Sequence, residues 1–115
     1  MDYLGKVCLV ELHGVKPKTL NNLRLLKKQL LETCKLIDAK VVRVTHKDFG
    51  RWGISVTVII CESHISIHTW PEKKYAIVDM MTCGKMNYKK GYDHLVSVLQ
   101  PTKYKIRSYF FGKFK

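Results

Sequence analysis

The sequence predicts an α+β two-layer sandwich, an antiparallel sheet with two helices packed on one face. Three observations carry this prediction: segments whose apolar residues alternate with period two, two segments in which they recur every three or four positions, and the order strand, helix, three or four strands, helix, strand. A chain of 115 residues fits one domain and can bury a core unaided. Its 46% hydrophobic and 26% charged composition is that of a globular domain, and no apolar run approaches the roughly 20 residues that span a bilayer.

Taken in order, Lys6 to His13 alternates as a half-buried strand does, and Gly14 closes it. From about Pro17 to Ile37 the residues Leu20, Leu23, Leu26, Leu30, Cys34 and Ile37 form one helical stripe opposite a face of Asn, Lys and Gln. Ala39 to Thr45 and Ile54 to Cys61 are rich in β-branched residues and predict two strands. Between them the connection His46 to Gly53 holds two glycines with Phe49 and Trp52, the makings of a site's lip. Ser63 to Thr69 alternates strictly, with Ser63, Ile65, Ile67 and Thr69 on one face and His64, Ser66 and His68 on the other; Pro71 stops it. Tyr75 to Met81 is a further strand, Thr82-Cys83-Gly84 a turn, Tyr88 to Leu99 a second helix ending before Pro101, and Lys103 to Phe110 the last strand.

The formal net charge of +12 raises nucleic acid as a partner. The lysines are scattered through turns and helix faces without a recognised binding module, however, so neither a nucleic-acid nor a membrane partner is expected. The beginning of the chain lacks the basic-then-apolar order of a secretory signal, which points to the cytoplasm and to reduced thiols at Cys8, Cys34, Cys61 and Cys83. No CxxC pair occurs, so no metal is expected.

Chemistry concentrates between Glu62 and Glu72, where two histidines, two serines and two acids fall within one strand and its ends. Each has a bland reading alone: a serine at a strand start is usually a turn residue, and a strand histidine usually a satisfied half-buried polar group. Together they are specific. The run ESHISIHTWPE, followed by Asp79 and Thr82-Cys83-Gly84 and preceded by Leu4-Gly5 and Gly53-Ile54-Ser55, resembles the prokaryotic S-adenosylmethionine decarboxylase proenzyme family over nearly the whole chain.

That resemblance implies an inactive precursor that cuts itself between Glu62 and Ser63. Ser63 attacks the Glu62 carbonyl, the backbone becomes an ester, and β-elimination leaves residues 1–62 and a second chain, 63–115, that begins with a pyruvoyl group. This covalent, self-derived cofactor then forms a Schiff base with the substrate amine and draws electrons as carbon dioxide leaves. The resemblance further implies His68 as proton acceptor in processing, Ser55 as its support and Cys83 as proton donor in decarboxylation. A thiol of ordinary pKa near 8.5 is largely protonated at neutral pH and suits that last role. Strand parity sets Ser63 and His68 on opposite faces, so a local distortion or a neighbouring strand has to bring them together.

For the substrate, the family stacks adenine on an aromatic residue matching Phe49, and Glu72 can accept ribose hydroxyls or counter a sulfonium charge. These features favour S-adenosylmethionine, with spermidine synthesis to follow; relatives that decarboxylate arginine or ornithine keep the same self-cleaving motif, so these amino acids stand as the alternative substrates. The resemblance also implies a homodimer of processed protomers with sites near the interface. An uncleaved, non-enzymatic binding or regulatory homologue is the alternative from another class. Intact Glu62, Ser63, His68 and Cys83 speak against it.

Overall fold

The computed structural model describes residues 2–83 and 85–114; Gly84 of the expected turn lies outside them. Six strands, β1 (Tyr3–His13), β2 (Lys40–Asp48), β3 (Ile54–Cys61), β4 (Ser63–Trp70), β5 (Tyr75–Thr82) and β6 (Lys103–Lys113), form one sheet in the order β2-β3-β4-β5-β1-β6. Every neighbouring pair is antiparallel. Helices α1 (Pro17–Leu20), α2 (Leu23–Leu36) and α3 (Tyr88–Leu99) complete the α+β sandwich, with α2 packed on β2, β3 and β4 and α3 on α2 and β1.

The helix-covered face of the sheet is the core. Cys8, Val10 and Leu12 of β1, Ile54, Val56, Val58 and Ile60 of β3, Ile65 and Ile67 of β4, and Ala76, Val78 and Met80 of β5 are all buried there. Leu26, Leu30 and Cys34 of α2 and Leu95 and Leu99 of α3 close over them, each fully buried leucine contributing about 1.5–3 kcal/mol relative to exposure. Among the described residues nothing covers the opposite face, and Ile59, Trp70, Tyr109 and Phe111 stand exposed on or beside it.

The stretch read as one helix from Pro17 to Ile37 is two. The break falls at Asn21 and Asn22, where the Asn22 side chain accepts a hydrogen bond from the Leu25 backbone N–H at 3.0 Å and so caps α2. Strands β1 and β6 run further than their alternation showed, because they pair with each other from Tyr3↔Lys113 to His13↔Lys103. β2 likewise continues to Asp48 along Ile54 and Ser55, and only Gly50–Trp52 of the expected lip form a short 3-10 turn.

Two contacts fix the end of the sheet nearest that turn. Thr69 Oγ1 donates to the Leu20 carbonyl at 2.8 Å and accepts from the Ile54 N–H at 2.9 Å, tying α1 to β3 and β4. Gly53 has φ +118°, and a Cβ there would lie 2.0 Å from the Thr69 carbonyl oxygen, so only glycine fits. Replacing Thr69 by Val keeps its shape but orphans the buried Ile54 N–H. A loss of about 1–3 kcal/mol is expected in urea unfolding, with the slope unchanged.

Candidate active site

β3 and β4 form a tight hairpin. Ile60 pairs with Ser63, so Cys61 and Glu62 are the two residues of its turn, and the Cys61–Glu62 peptide is cis. The Glu62–Ser63 bond therefore sits where the turn meets β4, exposed rather than inside a regular ladder. β5 ends beside it, Ser63 pairing with Thr82, which brings the following residue, Cys83, to the same edge. Glu62, Ser63 and Cys83 share an open cleft of about 590 Å³ whose apolar walls include Leu4, Ile60 and Phe111. Gly5 is what lets that wall close: a Cβ there would lie 2.4 Å from the Thr82 carbonyl oxygen and 2.6 Å from the Phe111 ring. Thr82 in turn is held through its hydroxyl by the Tyr88 hydroxyl, which also donates to the Lys6 carbonyl at 3.0 Å.

The uncovered face of the sheet carries a polar stripe. Ser55 Oγ and His68 Nδ1 lie 2.8 Å apart, Thr57 Oγ1 and Ser66 Oγ 3.0 Å, and His64 Nε2 and Asp79 Oδ2 3.5 Å. His64 also turns its other nitrogen back across the strand, placing Nδ1 3.5 Å from Ser63 Oγ. Further along the face, Tyr75 donates to Glu11 Oε1 at 2.9 Å; burial and that carboxylate push the phenol's pKa up to about 12.

The residues expected to act together fall in different places. Ser63 and Cys83 share the cleft, and Ser55 stands against His68. The ladder of β4 runs without a bulge from Ser63↔Thr82 to Trp70↔Tyr75, so His68 lies five residues along the strand from Ser63, about 16 Å at ~3.3 Å per residue, and on the other face. Phe49 and Glu72 lie at the far end of the sheet. Glu72 lines a second open cleft of about 760 Å³ with Trp52, Arg51 and Pro71, the Arg51 guanidinium lying 4.5 Å from the Trp52 ring centre, while Phe49 is exposed beside the 3-10 turn. Among the described residues of one protomer no local distortion or neighbouring strand joins the two ends. The sequence assigned His64 no role: its place on the strand face was legible, but its diagonal approach to Asp79, which pairs with Ser66 while His64 pairs with Met81, depends on the register between β4 and β5.

Residues 6–110 match the family model described as S-adenosylmethionine decarboxylase. The S-adenosylmethionine decarboxylase proenzyme 2 of a Bacillus cereus strain is 37% identical over 110 residues, 93% of this chain and 89% of that protein. The S-adenosylmethionine decarboxylase proenzyme of Brevibacillus brevis is 40% identical over 106 residues, 90% of this chain and 80% of that protein. Among solved structures, the crystal structure of the adenosylmethionine decarboxylase from Aquifex aeolicus superimposes with a TM-score of 0.91 at 27% identity, covering 100% of this chain and 96% of that one.

The four thiols are unequal. Cys8 and Cys34 are buried, and burial pushes both thiols up in pKa, Cys34 to about 11, whereas Cys61 is exposed and Cys83 half-buried in the cleft. Brief alkylation of the native protein followed by peptide mapping is expected to modify Cys61 and Cys83 and to leave Cys8 and Cys34 free until denaturant is added.

Proposed function

This chain belongs to the S-adenosylmethionine decarboxylase family, and from that premise we propose that it is a self-processing decarboxylase of S-adenosylmethionine, a carboxy-lyase that makes its own pyruvoyl group from Ser63. The observation that carries the reading is the shared cleft: the serine at the Glu62–Ser63 bond and the thiol of Cys83 line one cavity although they lie on different strands' ends, far apart in the chain. The residues fit the group, because the carbon that would become its ketone is the Cα of Ser63 itself, at the start of a strand and open to solvent. Once formed, the pyruvoyl group supplies an electron-withdrawing carbonyl to which the substrate amine binds. Cys83 holds the proton that returns to the substrate carbon after carbon dioxide departs. The names of the relatives favour S-adenosylmethionine over arginine or ornithine, and supply of aminopropyl groups for spermidine synthesis follows from that substrate. No helix among the described residues is long and apolar enough to cross a membrane, and four free thiols suit a reducing cytoplasm.

We further propose that the working unit is a homodimer. His68 with Ser55, and Phe49 with Glu72, lie away from the Ser63 cleft, and no described residue covers the face they border. A second copy laid across that face by a two-fold axis sets the Phe49 end of one protomer over the Ser63 end of the other. In that pairing the partner contributes the processing base His68, held by Ser55, together with the adenine-stacking ring of Phe49 and the carboxylate of Glu72.

Intact mass measured under denaturing conditions is expected to give two chains, 1–62 and a 63–115 chain short by one ammonia with a ketone at its start. The same sample is expected to release carbon dioxide from S-adenosylmethionine and not from arginine or ornithine, and Cys83→Ala to lower that release about 100-fold. A chain that stays whole on prolonged warm incubation contradicts the reading and favours the non-enzymatic alternative. Co-expression of Ser63→Ala with His68→Ala tests the dimer: each is expected to stay whole alone, while the mixture yields cut chain from the His68→Ala partner. No cut chain in the mixture contradicts supply of His68 by the second protomer.

A further inference from the structure

The residue beside the scissile bond is as suggestive as the one expected to process it. His64 Nδ1 faces Ser63 Oγ at 3.5 Å and its Nε2 faces Asp79 Oδ2 at 3.5 Å, with His64 and Asp79 both part-buried at 29% and 32% side-chain exposure. Asp79 Oδ1 is buried with no hydrogen-bond partner among the described residues, while Oδ2 faces His64. A carboxylate accepting from Nε2–H fixes the imidazole in the tautomer whose Nδ1 lone pair points to the serine hydroxyl. Hydroxyl, imidazole and carboxylate are thus linked in sequence by two 3.5 Å approaches, the order of groups by which a serine is activated as a nucleophile.

We propose that His64 is the base that activates Ser63 for the acyl shift, and that Asp79 is its positioning residue. The inference rests on the self-cleavage reading above, and it divides the two proton transfers of processing between two histidines. In the first, the Ser63 Oγ–H proton passes to His64 Nδ1 as Oγ bonds to the Glu62 carbonyl carbon. The bond from that carbon to the Ser63 nitrogen then breaks, and the proton held by His64 passes to the nitrogen, leaving Glu62 as an ester on Ser63 Oγ with a free α-amine. In the second, a different base removes the Cα proton of residue 63, and the Cβ–Oγ electron pair leaves with the Glu62 carboxylate. His68, about 16 Å away and on the other face of β4, cannot reach the hydroxyl within its own protomer and is left the second task. Geometry also favours this order. The nucleophile and its base are neighbours in one chain and in place as soon as β4 pairs with β5, whereas the elimination waits for a second protomer.

The test follows the purified proenzyme with time by denaturing electrophoresis and mass, with and without hydroxylamine, which cleaves esters but not amides. Wild type is expected to cut itself. His68→Ala is expected to stall as the ester, and hydroxylamine then releases residues 1–62 ending in a hydroxamate at Glu62. His64→Ala and His64→Gln are expected to form that ester about 100-fold more slowly, so that hydroxylamine releases little, and added imidazole should restore cleavage to His64→Ala. Asp79→Asn is expected to slow cleavage about tenfold, with Asp79→Glu recovering part of the loss. Circular dichroism and thermal unfolding like wild type establish that these surface-strand variants fold; Gln fills the imidazole's place if Ala does not. Either His64 variant maturing at the wild-type rate, or building up hydroxylamine-sensitive ester, overturns the proposal. A wild-type chain that does not cut overturns instead the reading on which it rests.

Discussion

The arrangement depends on the pairing of β4 between β3 and β5. A strand alternates its side chains, so once the register Ser63↔Thr82 is set, every residue from Ser63 to Trp70 is assigned to a face. Ile65, Ile67 and Thr69 go to the helices, where burial of Ile65 and Ile67 under α2 makes a one-residue slip prohibitive. His64, Ser66 and His68 go to the uncovered face. The hydrophobic core thereby aims the chemistry: apolar residues hold the register, and the register places two histidines where another molecule can reach them.

The same register makes a protomer incomplete for its proposed reaction. The length of β4, about 23 Å at ~3.3 Å per residue, separates the Ser63 cleft from Phe49 and Glu72. No rotamer change spans that distance, since the longest side chains reach about a third of it. The polar and apolar residues of the uncovered face, with Ser55 held against His68 and Thr57 against Ser66, are ordered by contacts within the chain before any partner arrives. Such preorganisation would lower the entropic cost of completing a site in the proposed dimer.

Much of this was legible in the sequence, for identifiable reasons. Ile54–Cys61 and Tyr88–Leu99 match their expected bounds because β-branched residues mark the one, and an apolar helical stripe with a following proline marks the other. The single helix expected from Pro17 to Ile37 failed at Asn21 and Asn22: the apolar stripe continues across the break, and only the capping behaviour of Asn marks it. The tail of β2 at His46, Lys47 and Asp48 was invisible because an exposed edge strand needs no apolar alternation. At the site, motif and parity together gave Ser63, Cys83 and the separation from His68. The approach of His64 to Asp79 was not legible, because residues on adjacent strands become neighbours through register, which the sequence of either strand alone does not state.

In the proposed reaction the substrate is held at residue 63 through a group made from Ser63. Reductive trapping tests it most directly: the purified protein is incubated with S-adenosylmethionine and cyanoborohydride, digested and mapped by mass. The expected product is a secondary amine linking decarboxylated substrate to the first residue of the 63–115 chain, absent in Ser63→Ala. An adduct on a lysine, or none from protein that releases carbon dioxide, would contradict it.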